Sequence, residues 1–196
     1  VIYAGTTIGA FRSMDGGKTW RWIFYETLNT QNYVISVAID PHDVNIATLA
    51  TKDGMFRTIN GGKKWTRSGG FLFTGVPVID VRFDPRDGNH QIAHTYRKVW
   101  ETFDGGKSWN ILYINDSEWS PRDIAFDPRD PDVIWVLTSA EVLRLSSKPP
   151  AEPDEEGLKQ LRERLRVEPT LATTLDAVFK TTNVHRGRLG ELRTRA

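Results

Sequence analysis

The chain has 196 residues, 39% hydrophobic and 26% charged, enough apolar content for one or two packed domains with a water-facing surface. Its formal net charge of +1 excludes the strongly basic balance by which a whole chain holds nucleic acid or an anionic membrane. With no cysteine, disulfides and thiolate metal or redox sites are excluded too.

No apolar run approaches the ~20 residues of a membrane-spanning helix. The opening "VIYAGTTIGAF" is strand-like from its first residue, as in a chain read from mid-protein, and carries no charged-then-apolar targeting pattern. It leads into "SMDGGKTW" (Ser13–Trp20), after which Trp20 begins another strand. The connection "YETLNTQNY" precedes a strand over Val34–Ile39 that Asp40-Pro41 stops, because proline cannot donate to a ladder. Strands follow at Ile46–Thr51 and in "MFRTI", then the loop "TINGGKKW" (Thr58–Trp65). After "GGFLFTGVP" the order recurs: Val78–Phe83, Asp84-Pro85, Ile92–Tyr96, "VWETF" and "TFDGGKSW" (Thr102–Trp109). It begins again after "YINDSEWSP" with Arg122–Phe126, Asp127-Pro128, Val133–Thr138 and "VLRLS", ending at Ser147 without a glycine loop.

The glycine loops start 45 and 44 residues apart, and the Asp-Pro stops keep the same beat at 44 and 43. Val37, Val81 and Ile124 lie two residues before Ile39, Phe83 and Phe126, so each pair shares one strand face. Four short strands per repeat of about 44 residues is the period of a β-propeller blade. A helical repeat fails because glycine, proline and β-branched residues interrupt every segment. The expected fold is all-β, a partial ring of about three to four blades over 1–147. Two blades are complete; the first lacks its inner strand and the last its outer one. Further blades or a protein partner are expected to cover the open edges.

The loop pattern Ser/Thr-x-Asp-x-Gly-x-Thr-Trp resembles the Asp-box of BNR-type β-propellers. Families that share it include sialidases, xyloglucan-type glycoside hydrolases, sortilin-like receptors and photosystem II assembly/stability factors; "DGGK(T/S)W" with "(I/F)DP" is most similar to the last three. Ser13, Asp15, Gly17, Thr19 and Trp20 match it fully. Thr102, Asp104, Gly106, Ser108 and Trp109 match with hydroxyl equivalents. Thr58, Asn60, Gly62 and Trp65 match with Asn60 for aspartate, while Lys64 replaces the hydroxyl. The resemblance implies an architectural loop, as the residues do: glycine supplies a positive φ, and the Asp or Asn accepts backbone N–H bonds. A phosphate loop would open a helix, and none follows Lys18, Lys63 or Lys107.

Catalysis has thinner support. Asp80, Glu101, Asp116, Glu118 and Asp123 are the candidate carboxylates for glycoside hydrolysis, and Asp80 and Asp123 on inner strands are readable as polar partners of Arg82 or Arg122. His42, His90, His94 and His185 do not form a metal-ligand pattern and are expected at the surface or in loops. No catalytic residue, metal ligand or cofactor is assigned. Tyr33, Phe71, Phe73, Tyr113 and Trp119 recur in the connections between repeats and are candidate partner anchors, with blade packing as the alternative.

Beyond Ser147 the composition changes. Residues 148–154 form a Pro-rich linker, and 155–196 read as a helical tail with Leu158, Leu161 and Leu165, then Leu171, Leu175, Val178 and Phe179, then Leu189 and Leu192 on apolar stripes. The segment "EPTLATTLDAVFK…RLGELRTRA" resembles a helical stretch preceding outer-membrane barrels in some bacterial proteins, which implies an extracytoplasmic location and indirect membrane association. The function expected is a non-catalytic scaffold for protein interaction or assembly. The alternative is a carbohydrate-active propeller, binding or cleaving a glycan, with its catalytic residues outside this sequence.

Overall fold

A computed structural model describes residues 1–25, 33–114 and 120–147. Within them lie four antiparallel sheets. The first contains β1 (Ile2–Thr6), β2 (Gly9–Ser13) and β3 (Arg21–Phe24). The second runs β4 (Val34–Ile39), β5 (Ala47–Thr51), β6 (Gly54–Thr58), β7 (Thr66–Arg67). The third runs β8 (Asp80–Phe83), β9 (Gln91–His94), β10 (Lys98–Thr102), β11 (Asn110–Ile114). The fourth contains β12 (Pro121–Phe126), β13 (Val133–Thr138) and β14 (Val142–Ser146). These are two four-stranded sheets between two three-stranded ones, as the repeat predicts. The linker and helical tail fall outside the described residues.

Each sheet is a meander, and in the second, third and fourth an aspartate closes the turn after the first strand. The Asp40 amide donates to the Ile46 carbonyl at 3.0 Å, Asp84 to His90 at 3.0 Å and Asp127 to Val133 at 2.9 Å. The same carboxylates accept the amides of His42, Arg86 and Arg129 at 2.7–2.8 Å. Proline ends the strand and the carboxylate holds the chain as it reverses.

The core lies between sheets. Ala10, Phe24, Val34, Leu49 and Phe56 join the first two. Ala50, Met55, Phe73, Val81, Trp100 and Trp109 join the second and third. Ile92, Val99, Ile124, Ile134 and Val136 join the third and fourth. Burial follows this stacking: β5 and β9 are buried at every residue, being covered on both faces, whereas β13 has Trp135 and Leu137 exposed between buried neighbours. A strand covered on both faces reads as a continuous apolar or small-residue run, and one covered on a single face alternates.

Leu49 is fully buried between two sheets. Leu49→Ala is expected to cost about 2–5 kcal/mol in urea unfolding, whereas Ile59→Ala, at an exposed loop position, should stay within about 0.5 kcal/mol of the parent.

Candidate functional site

The three glycine loops share one hydrogen-bond scheme. The Ser13 hydroxyl donates to Asp15 at 2.8 Å and accepts the Gly17 amide at 2.8 Å. Asp15 accepts the Thr19 amide at 2.9 Å and the Thr19 hydroxyl at 2.6 Å. In the third loop Thr102, Asp104, Gly106 and Ser108 repeat these bonds at 2.5–3.0 Å. In the second, Thr58, Gly62, Asn60 and the Lys64 amide make three of them, and the hydroxyl bond is missing because Lys64 has no hydroxyl. Both glycines of each loop hold φ between 70° and 94°, a region open to glycine without strain. The bonds from Thr19, then Ser13, lower the Asp15 pKa to about 2. Burial works against the Asp104 carboxylate, but the bonds from Ser108 and Thr102 prevail and lower its pKa as well. Each loop carboxylate is committed to its own loop.

The loops so shaped fasten adjacent sheets. The Trp65 indole N–H crosses to the Ile23 carbonyl of the first sheet at 2.7 Å, and that of Trp109 to the Ser68 hydroxyl beside the second at 3.0 Å. Gly69 N–H and Ser68 O–H donate to the Gly106 carbonyl at 2.7 and 2.9 Å. From the opposite side an arginine reaches forward: Arg12 donates to the Gly61 carbonyl at 3.1 Å, and Arg57 to that of Gly105 at 2.6 Å. Trp20 instead donates to Gly17 of its own loop and is 45% exposed. The reading of single loops overlooked the arginines, although "FRS" and "FRT" recur at the repeat spacing.

Glu101 occupies the strand position that Arg12 and Arg57 hold in the preceding sheets, and it is fully buried. It accepts a bond from the Ser147 hydroxyl of the fourth sheet. His90 lies between Glu101, 3.2 Å from Nε2, and Asp84, 2.7 Å from Nδ1; its ring stacks on Phe103. Ser147, His90 and Asp84 follow the order of a nucleophilic relay. Yet Ser147 is bonded to Glu101, and all four groups are buried, so a substrate carbonyl has no approach to the hydroxyl. The cluster is a polar clasp between the third and fourth sheets.

The expectation of histidines at the surface or in loops is corrected for His94, which lies on β9, while His90 lies in the turn before β9 but is not at the surface. His90 and His94 are buried, at 4% and 0% exposure, because β9 and the turn before it are covered on both faces; carboxylates rather than water satisfy His90. The His94 Nδ1 lies 3.2 Å from the Thr95 carbonyl, and its Nε2 has no hydrogen-bond partner among the described residues. His42 is exposed, and His185 lies outside the described residues.

On the inner strands Asp80 accepts the Ser36 hydroxyl at 2.5 Å and Arg82 at 2.7 Å, and Arg82 lies 3.6 Å from Asp123. The guanidinium partners both carboxylates. Asp116 and Glu118 lie outside the described residues.

The candidate partner anchors separate. Phe73 is corrected to a core residue: 1% exposed, it packs edge-on against Trp100 and Trp109. Tyr113 packs against the cluster between the third and fourth sheets. Tyr33 carries the Lys52 ammonium 4.4 Å above its ring. Phe71 is 91% exposed, and Trp119 lies outside the described residues.

Among solved structures the chain is similar to an ancestral GH74 enzyme, at 19% identity and TM-score 0.63 over 79% of this chain and 23% of that one. It is similar to YCF48 bound to a D1 peptide, at 15% identity and TM-score 0.52, over 72% and 50% of the two chains. The extracellular domain of a two-component system protein from Bacteroides thetaiotaomicron matches at 15% identity and TM-score 0.57, over 73% and 19%. The chain thus spans a quarter or less of two of these proteins and half of the third. No protein-family model matches it, and no curated protein matches its sequence. The neighbours are β-propellers, two of them of kinds the loop pattern resembles, and the four antiparallel sheets match the fold of a partial β-propeller.

Two measurements probe the fastenings. Trp109→Ala should cost about 3–5 kcal/mol, and Trp109→Phe less, about 1 kcal/mol for the lost bond to Ser68, read from urea unfolding. Burial disfavours the charged form of His90, but the bonds and charges of Glu101 and Asp84 outweigh it and raise its pKa above 6.5. Its contribution to stability is therefore complete below pH 6.5 and lost as pH rises through the raised value. Thermal melts should show this alkaline loss in the parent and not in His90→Gln; an unchanged alkaline limb would remove the cluster from the account.

Proposed function

We propose that the chain is part of a non-catalytic, extracytoplasmic propeller scaffold that binds a protein partner through the connections between its sheets. The observation that carries this reading is Phe71. The ring is 91% exposed, yet its loop is fixed on both sides. Gly69 is bonded to Gly106, Phe73 is sunk in the core, and the Gly75 amide donates to Asp53 at 2.6 Å. Asp53 is itself held by Arg67 at 2.5 Å. An aromatic presented on a pre-ordered loop loses little conformational entropy on contact, which favours it as an anchor. The YCF48 propeller bound to a D1 peptide supports peptide engagement on this fold, and the extracellular neighbour supports the location. On this reading the glycine loops are Asp-boxes in an architectural role, and the helical tail at 155–196 docks the module elsewhere, with any membrane association indirect.

A carbohydrate-active propeller whose catalytic residues lie outside this sequence is the second reading, favoured by the likeness to a GH74 enzyme.

A photo-crosslinking amino acid placed at position 71 should yield one protein adduct from the native source. Phe71→Ala should weaken that partner about tenfold or more at unchanged melting temperature. Xyloglucan hydrolysis by a longer chain that contains this segment, lost in Asp80→Ala or Asp123→Ala, would instead establish the second reading.

A further inference from the structure

The gap between the first and second sheets holds a cavity of about 260 Å³, lined among the described residues by Ile23, Phe24, Tyr25, Phe56 and Trp65. Phe24 and Phe56 are buried, while Tyr25 is 58% exposed. The cavity lies on β3, the strand of its sheet farthest from β1, and on the face turned to the second sheet. Neither a strand added at β1 nor a blade against the opposite face would line it.

The next gap shows what such a place receives. Trp100 and Trp109 stand there at the repeat positions of Phe56 and Trp65. The connection after β7 turns back over them: Gly69 and Gly70 take φ of 71° and 58°, and the Gly69 N–H donates to the Gly106 carbonyl. Phe73 is thereby set edge-on against both indoles, at ring-centroid distances of 5.0 and 5.9 Å. Phe73 and Trp109 are each left 1% exposed.

In the first gap the ring against Phe56 and Trp65 comes from β3 itself: Phe24, at 4.9 and 5.7 Å. Phe24 pairs with Ala10 as Ser68 bonds to Met55, the counterpart of Ala10, so Tyr25 follows where Gly69 does. An added Cβ at Gly69 would come within 2.9 Å of Trp109 and 3.0 Å of Phe73, and a bulky residue rarely adopts a positive φ. The returning turn therefore has no counterpart at Tyr25, and the room it takes over Trp109 is open over the partly exposed Trp65. None of residues 26–32 is aromatic, so the connection after β3 carries no second Phe73.

The lining selects among occupants. Its side chains are four rings and an isoleucine, and the Trp65 indole N–H is committed to the Ile23 carbonyl at 2.7 Å. A buried sugar would need a partner for each hydroxyl, and among these side chains the Tyr25 hydroxyl is the one group left to meet them. A phenyl ring needs none, and an apolar cavity of roughly 150 Å³ already takes up benzene.

We propose that this cavity receives an aromatic side chain of the protein partner, carried on a peptide segment as Phe73 is carried on the connection after β7. The proposal rests on the reading of the chain as a partner-binding scaffold. It adds to the outward contact of Phe71 a second one, in which the partner inserts the anchor.

The test uses the 196-residue chain, N-acetylphenylalaninamide as the probe, and the Trp65 indole N–H resonance, assigned with Trp65→Phe, as the reporter. The probe should shift that resonance saturably, and N-acetylalaninamide should not. Phe56→Trp brings the residue of position 100 into this gap and takes up the cavity; Tyr25→Ala removes its exposed wall. Each should weaken the probe, and the partner crosslinked at position 71, about tenfold or more. Thermal melts establish that both variants are folded, and Tyr25→Ala, at an exposed position, carries the test if Phe56→Trp is not. No saturable shift, or one that neither variant changes, would overturn the proposal. A shift produced by a xyloglucan oligosaccharide and not by the phenylalanine amide would overturn it in favour of a glycan. A partner that crosslinks at position 71 but binds both variants as tightly as the parent would overturn it and leave the scaffold reading standing. No partner at position 71 would remove the scaffold reading, and the proposal with it.

Discussion

The structure depends on a bond across the gap between sheets, from an arginine of one sheet to the first-glycine carbonyl in the loop of the next. Stacked sheets touch only their neighbours, so their stability is a sum of nearest-neighbour terms, and whatever fixes one gap fixes the repeat. The carbonyl is usable only because its loop is rigid. Serine or threonine, aspartate or asparagine, and two left-handed glycines hold the turn open toward the preceding sheet. The tryptophan that ends the loop then bonds backward, so sheets two and three are each held to their predecessor in both directions.

The gap between the third and fourth sheets departs from this scheme. No glycine loop follows β14 to offer a carbonyl, and an arginine at position 101 would have been a buried cation without its acceptor, a costly arrangement. Glutamate stands there instead, and its charge is met by His90 and the Ser147 hydroxyl. The substitution changes which groups are joined while keeping a buried polar link at the same place in the gap. It also makes this gap the one whose described cluster contains a histidine, so its strength is expected to follow pH where that of the arginine links is not.

Much of this was legible in the sequence for a physical reason. Turn chemistry is local: Asp-Pro and Asp-Gly-Gly act through their own backbone, so Asp40, Asp84 and Asp127 and the three loops could be placed from spacing alone, and with them the four sheets. What escaped depends on the neighbouring sheet. His90 and His94 are polar residues beside a strand with both faces covered, and only the stacking shows that carboxylates stand in for water at His90. Phe71 and Phe73 are two residues apart in one connection; one is fully exposed and the other is core, a division set by where Trp100 and Trp109 arrive from the third sheet. The arginine links were within reach, since the repeat that aligned the loops also aligned Arg12, Arg57 and Glu101.

The same division of labour explains how one architecture can serve an enzyme and a peptide-bound protein among its structural neighbours. Loop carboxylates are engaged by the backbone amides and hydroxyls of their own turns, bonds that a proton or a ligand would have to displace. The inner-strand carboxylates Asp80 and Asp123 are met by Arg82, so acid–base work there would require that guanidinium to move. The described connection after β7 carries neither burden. In the 69–77 connection, Asp53 and the core fix the ends of the segment while the side chain at its tip is left to meet another molecule. A fold whose polar groups are spent on its own gaps can vary such tips freely, which is why the proposed partner contact rests on Phe71 and its loop and not on the repeated aspartates.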